Sequence, residues 1–332
     1  MKNIRIPLFI PHLACRHRCC YCNQMQITGE QQAPSPLAIH PLIEQYLPGI
    51  PRDAYTEFAF FGGNFTALAL PLQEAYLQEV QPYIEKGQIQ GIRLSTRPDD
   101  INDTVLALLK KYHVKTIELG AQSLDAEVLR LAERGHSKED VQVASAKIKA
   151  MGFGLGLQMM IGLPGDTPEK ARFTAEEIIR FKADETRIYP TLVIENTALA
   201  QAYRQGDYQA LPLEQAVEQS KDLLLTFESA GVKVIRIGLH PSEGLLSGKA
   251  YLAGPFHPSF RELVETAIWG DIFKAYFQRN PKQSFSSLYV APGQSNTAIG
   301  YGGLNKKILS LQSPKFRILT NEQLKNREFN LI

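Results

Sequence analysis

The sequence predicts an α/β fold, a partial (β/α)6 TIM-like barrel with a small α+β C-terminal region. Three observations lead there. Short apolar runs alternate with helical stretches as far as residue 231, the pattern of right-handed crossovers and a parallel sheet. No Gly-x-Gly-x-x-Gly follows the first apolar run, which disfavours a dinucleotide-binding Rossmann sheet. The motifs able to carry chemistry fall just after the apolar runs, where barrels place their sites. Residues 1–231 are therefore expected to form the barrel and residues 232–332 the C-terminal region.

The elements follow in order. Residues 5–10 read as a first strand and residues 36–46 as a helix after a Gln/Pro loop. Residues 57–61 form a buried-strand run. Residues 72–85 have Leu72, Ala75, Tyr76 and Val80 close to helical spacing. A strand at 91–95 precedes a helix at 103–112, whose Val105, Leu106, Leu108 and Leu109 face inward. A strand at 116–119 and a helix at 125–132 come next. Ser137 opens another helix, with Asp140 three residues on as in a capping box. A strand at 155–161 leads to Thr167 and Pro168, an N-cap and a first-turn proline, for a helix to about Phe181. A strand at 186–189 and a long helix at 213–230 complete six units.

Composition is that of an ordinary soluble globular chain. Of its 332 residues 44% are hydrophobic and 21% charged, which excludes disorder, collagen and coiled coil. The N-terminus has no cleavable signal pattern, and the most apolar stretch, residues 58–72, is broken by Gly62, Gly63, Asn64 and Pro71. A cytoplasmic protein with no membrane contact is expected. Net charge is +2, unevenly spread: residues 232–332 carry 13 Lys/Arg against 6 Asp/Glu. A basic C-terminal part on a mildly acidic body points to a polyanionic partner, with a solvated basic surface as the alternative.

All four cysteines lie between residues 15 and 22. A chain this long needs no disulfides to fold, and such a cluster cannot staple distant segments. Cys15-x3-Cys19-x2-Cys22 puts three thiolates on one short loop, enough for three irons of a 4Fe–4S cluster, with the fourth iron open. Zinc is the rival, with His12, His17 or Cys20 as a fourth ligand. Cys20 is expected to point away from the cluster, because adjacent thiolates rarely reach one metal.

The cysteine spacing, with Tyr21 before the last cysteine, resembles the radical S-adenosylmethionine (SAM) superfamily. Further strings recur in that superfamily's order at the strand ends: Phe61-Gly62-Gly63-Asn64-Phe65-Thr66, Ser95-Thr96-Arg97-Pro98-Asp99, Glu118-Leu119-Gly120-Ala121-Gln122-Ser123-Leu124, Met160-Ile161-Gly162-Leu163-Pro164-Gly165-Asp166-Thr167 and Tyr189-Pro190. Oxygen-independent coproporphyrinogen oxidases and the radical domain of the Elongator catalytic subunit share this set. Thr96–Asp99, Gly120–Leu124 and Val234-Ile235-Arg236-Ile237-Gly238-Leu239 favour the second. The resemblance covers roughly residues 5–255.

The resemblance implies a 4Fe–4S cluster on Cys15, Cys19 and Cys22, SAM bound at its open iron, and a low-potential reductant such as flavodoxin or ferredoxin. It implies that Gly62 and Gly63 approach the methionine part of SAM, beside Asn64 where the superfamily has glutamate. Ser95 stands where both subgroups have glutamate and would reach a ribose hydroxyl. Gln122 and Arg134 match cofactor-binding positions, Phe9 would stack near the adenine, and Gln158 would face the ribose. Barrel lining is the alternative for Phe9 and Gln158, and a surface ion pair for Arg134. Methylthiotransfer is not expected, for want of further cysteines.

Residues after 255 lack a Gly-rich acetyl-CoA loop, so acetyl transfer is not expected. They read instead as strand, helix, Gly300-Tyr301-Gly302-Gly303, helix, strand, which resembles the core of an RNA-binding KH module. Gly300, Gly302 and Gly303 would lie against a nucleic-acid backbone, with Lys306 and Lys307 near phosphates. A glycine turn between two structural helices is the alternative. The expected function is radical SAM modification of a tRNA or rRNA base. The alternatives are the same chemistry on a small molecule such as a tetrapyrrole, and a non-enzymatic zinc or RNA-binding protein.

Overall fold

The computed structural model describes residues 2–10, 18–28 and 32–332. Seven parallel strands form one curled sheet: β1 (Asn3–Ile10), β2 (Tyr55–Gly62), β3 (Gly91–Thr96), β4 (Val114–Gln122), β5 (Gly154–Ile161), β6 (Glu185–Pro190) and, beyond the short β7 (Val193–Ile194), β8 (Lys233–Ile237). Their spatial order is their chain order, with β8 beside β6. This is the partial barrel that the sequence predicts, with one more strand. Residues 233–237, assigned above to the C-terminal region, complete the sheet.

The strands read as near-continuous apolar runs because helices cover the sheet's outer face. Phe58, Phe60, Ile92, Leu94, Ile117, Leu119, Leu155, Leu157 and Ile188 are buried against those helices in one core. Burying each such side chain contributes about 1.5–3 kcal/mol. The crossover helices start where their caps put them. Asn102 and Asp125 accept from the backbone N–H three residues on, each at 3.0 Å. Ser137 and Asp140 form the capping box read from the sequence. Thr167 accepts from Lys170 N–H, with Pro168 in the first turn.

The C-terminal region is organised by a helix, Phe260–Arg279, that the sequence reading passed over. Its Phe260, Val264 and Ile268 belong to the barrel core. Its Trp269, Phe273 and Phe277 belong to a second core with Phe285, Leu288, Val290, Ala298 and Leu309. With the two-residue pairing of β7 to β9 (Tyr251–Ala253) set aside, the remaining strands form a second small sheet. In it β10 (Ser287–Val290) lies between β11 (Arg317–Thr320), parallel, and β12 (Phe329–Leu331), antiparallel. Helices Ser295–Ile299 and Leu304–Gln312 link β10 to β11, in the order the sequence predicts. Among the described residues, no helix is long and apolar enough to cross a membrane.

Candidate active site

The loop after β1 carries the cysteines. Cys15, His12 and His17 lie outside the described residues. Cys19 is buried and Cys22 half-buried, joined by a turn in which Cys22 N–H donates to the Cys19 carbonyl at 3.0 Å. Cys20 is turned into an apolar cluster of Val128, Ala132, Leu163 and Leu199. Its own N–H donates to Ala132 and its carbonyl accepts from Leu199, at 3.2 and 2.8 Å. Burial, with Glu133 and Cys19 nearby, pushes its thiol up to about 12. Cys20 therefore anchors the loop through this apolar cluster.

Arg134, at the end of the helical turn after β4, reaches back to this loop. Its Nη1 donates to Cys19 Sγ at 3.2 Å, and its Nη2 to the Gly120 carbonyl. Burial opposes its charge, but Tyr21, Cys19 and Cys22 outweigh burial and hold its pKa above the ordinary value. It is no surface ion pair. Gln122 stands beside it, at a register shift between β4 and β5, with φ of 64°. Its Oε1 is buried and has no hydrogen-bond partner among the described residues. Gly120 makes room for both: a Cβ there would lie 2.8 Å from Gln122 Nε2 and 3.0 Å from Arg134 Nη2.

The β2 end is tied down locally. Gly62 has φ of 105°, and a Cβ on it would meet the Ile10 carbonyl oxygen at 3.0 Å. Gly63 N–H donates to that same oxygen at 2.8 Å. Asn64 is buried and fully engaged. Its Oδ1 accepts from Thr96 Oγ1 at 2.6 Å and from Arg97 N–H, and its Nδ2 donates to Asp100. Asn64 thus clasps the β2 end to the β3 end.

Ser95 and Gln158 meet on the concave face, which Phe9 also lines. Gln158 Nε2 approaches Ser95 Oγ at 3.4 Å and Glu118 Oε2 at 3.3 Å. Phe9 packs against Phe61, whose ring lies 5.1 Å beneath the Arg187 guanidinium. Below them is a buried ionic network that the sequence reading missed. Glu118 accepts from Arg93 and twice from Arg187. Arg93 also pairs with Glu57 and Glu185, which Arg5 approaches from the edge. Three arginines balance three carboxylates, so the floor of the half-barrel is neutral. Arg187 and Arg93 hold Glu118 down to about 2 against the opposing effect of burial. Charged residues at buried positions of largely apolar strands, Arg93 in β3 and Glu118 in β4, were the signal for it.

The Gly300–Gly303 loop rests on helix Phe260–Arg279. Tyr301 N–H donates to Thr266 Oγ1 at 2.8 Å, and the buried Asn305 Nδ2 donates to the Thr266 carbonyl. A Cβ on Gly300 would lie 2.8 Å from Thr266 Cγ2, so that glycine serves packing. Gly302 and Gly303, at φ of 59° and 73°, face open space, beside the exposed Lys306 and Lys307. The Gly303 and Leu304 N–H groups are bonded within the loop, to Gly300 and Tyr301. A phosphate there would thus be met by fewer amides than the motif suggests.

The family model of the radical SAM superfamily matches residues 9–178, and that of the Radical_SAM C-terminal domain residues 183–269. The tRNA uridine(34) acetyltransferase of Dehalococcoides mccartyi is 28% identical over 236 residues, 60% of this chain and 51% of that protein. The heme chaperone HemW of Bacillus subtilis is 22% identical over 241 residues, 70% of this chain and 62% of that protein. The chain thus spans about half the length of the first of these relatives. In fold it is similar to the Elp3 structure of Methanocaldococcus infernus, with a TM-score of 0.61 at 22% identity, covering 85% of this chain and 64% of that one. With a cysteine loop after β1 and its partner motifs on successive strand ends, the chain belongs to the radical SAM superfamily.

Proposed function

We propose that this protein is a radical SAM enzyme acting on RNA, holding a 4Fe–4S cluster through Cys15, Cys19 and Cys22. The observation that carries the reading is the chain of contacts from Cys19 through Arg134 to Gly120 and Gln122. The donor set fits such a cluster. The thiolates are soft ligands suited to iron–sulfur, and Cys20 is sequestered from them. Buried polar atoms without a partner are rare, and the Gln122 Oε1 fits a hydrogen-bond donor supplied by SAM. When bound, the cluster and SAM would supply one-electron radical chemistry to the substrate.

The chain's own residues orient and shield. Asn64 fixes the β2 and β3 ends relative to each other. Gly62 keeps the β2 end close against β1. Phe9 and Phe61 give the concave face an apolar wall that excludes water. Gln158, held between Glu118 and Ser95, presents its amide to the same face.

RNA is the substrate class that fits the rest of the molecule. The C-terminal region carries the excess basic charge, and its open Gly302-Gly303 turn sits between lysines and the exposed Tyr301 ring. Aromatic rings of this kind stack on unpaired bases. The relative from Dehalococcoides mccartyi is named for a tRNA uridine. The test is anaerobic reconstitution with iron and sulfide analysis, then SAM and dithionite, then mass spectrometry of RNA nucleosides from a deletion strain. Four irons and four sulfides per chain, 5′-deoxyadenosine, and one nucleoside missing from the deletion strain are expected. Stoichiometric zinc without sulfide would defeat the cluster. An unchanged nucleoside profile would move the substrate to a small molecule.

A further inference from the structure

Arg134 carries a buried charge that, among the described residues, only the cysteine loop answers. Its side chain is buried, with 6% exposure, and its Nε has no hydrogen-bond partner. Among the described residues no carboxylate pairs with it. Asp99, the acid beside Arg97, is gripped by that arginine through Nε and Nη2, each at 2.9 Å. Arg97 also donates to the Arg134 carbonyl at 2.7 Å, which fixes its backbone. The acceptors Arg134 reaches are the Gly120 carbonyl and Cys19 Sγ. A buried cation without a counter-ion is strongly destabilising, so an anion must complete this site.

We infer that Arg134 is the counter-charge of the iron–sulfur cluster, donating Nη1–H to the Cys19 thiolate and thereby raising the cluster's reduction potential. The inference rests on the cluster reading above. Reduction by one electron from an external low-potential donor adds one negative charge to the cluster. A fixed guanidinium at hydrogen-bond distance, away from water, favours that more negative state. The position is prepared by the bare Gly120, where a Cβ would lie 3.0 Å from Nη2. Arg134 is thus a positioning and tuning residue for electron entry, apart from any contact it makes with SAM.

The experiment uses the full chain, reconstituted anaerobically without SAM and poised with dithionite and mediators at one fixed potential. Electron paramagnetic resonance reads the ratio of reduced to oxidised cluster. Arg134→Gln should lower that ratio about tenfold, equivalent to 59 mV for a one-electron couple, and Arg134→Lys should lie between it and wild type. Wild type labelled with 15N-arginine should also show a 15N coupling to the reduced cluster. That second measurement decides the matter if Arg134→Gln fails to take up iron. An unchanged ratio in Arg134→Gln, or no 15N coupling in wild type, overturns the inference. A wild type with no cluster signal overturns the cluster reading itself, and is told apart from those results because it fails before any substitution.

Discussion

Glu118 grips Arg187 with both oxygens, Oε2 from Nε at 2.6 Å and Oε1 from Nη2 at 2.9 Å, while Oε1 also takes Arg93 Nη1. The pairing joins β3, β4 and β6 across the floor of a half-barrel whose sheet, among the described residues, stays open between β1 and β8. Arg187 then reaches up over the Phe61 ring, so the floor supports the wall beside Phe9.

Removing Glu118 leaves the buried Arg187 without a carboxylate, while Arg93 keeps Glu57 and Glu185. Glu118→Gln is expected to destabilise the fold by about 3–5 kcal/mol at neutral pH. The pH dependence has a definite sign. The folded carboxyl titrates at about 2, below its ordinary 4.5. Its stabilisation is therefore complete above pH 4.5 and is lost as pH falls toward 2. Urea unfolding of wild type and Glu118→Gln across that range should show the gap closing on the acid side. A gap that stays constant down to pH 2.5 would mean that the network contributes by shape and not by charge.

The cysteines should separate by role. Cys20→Ala removes a small buried group and should cost on the order of 1 kcal/mol, with iron and sulfide content unchanged. Cys20→Asp would bury a carboxylate among Val128, Ala132, Leu163 and Leu199, and should unseat the loop. Cys19→Ala should lose the cluster and all 5′-deoxyadenosine. Iron analysis of the three variants decides it. Loss of iron in Cys20→Ala would make Cys20 a ligand.

Much of this was legible because it is local. The caps at Ser137 and Thr167, and the apolar runs of β2 and β5, act through neighbours a few residues away; the capped helices start where the caps put them, and the strands begin one or two residues before their apolar runs. Helix Phe260–Arg279 was not legible. Ser259 makes no side-chain cap bond, and residues facing two cores leave it without a single apolar stripe. At the site, cysteine spacing pointed to Cys19 and the family resemblance to Gln122 and Arg134, but neither told how they meet. The contact of Arg134 with Cys19 spans 115 residues and depends on the curl of the sheet. Asn64 was read toward the cofactor, yet its partners Thr96 and Asp100 come from the next strand end.

Gln122 offers the cleanest test of cofactor binding. Its Oε1 is buried without a donor, so a SAM hydrogen bond there replaces nothing. Gln122→Ala should weaken SAM binding about tenfold, roughly 1.4 kcal/mol and within the range of one hydrogen bond. Iron content should not change, because among the described residues Gln122 makes no hydrogen bond to a cysteine. Equilibrium dialysis with labelled SAM on the reconstituted variant reads it. Wild-type affinity would remove Gln122 from the cofactor site.

The RNA reading stands on the turn at Gly302 and Gly303. Both have positive φ and open space where a side chain would go, and Asp tolerates that conformation better than most residues. The double variant Gly302→Asp, Gly303→Asp should therefore fold, keep its cluster and still cleave SAM, while its new charges repel a phosphate backbone. Gly300 is left alone, since a Cβ there would strike Thr266. Lys306→Ala with Lys307→Ala should weaken binding for every RNA and flatten the salt dependence by roughly two units of slope, if both lysines meet phosphates. Gel-shift titration against total tRNA and rRNA fragments at two salt concentrations measures both effects. With Gly303 and Leu304 N–H groups already bonded inside the loop, the lysines must supply most of the contact. The lysine pair should thus lose at least as much affinity as the glycine pair. Wild-type binding no tighter than roughly 100 μM, the weak end of non-specific association, would leave this basic surface as a solvated cap on the barrel.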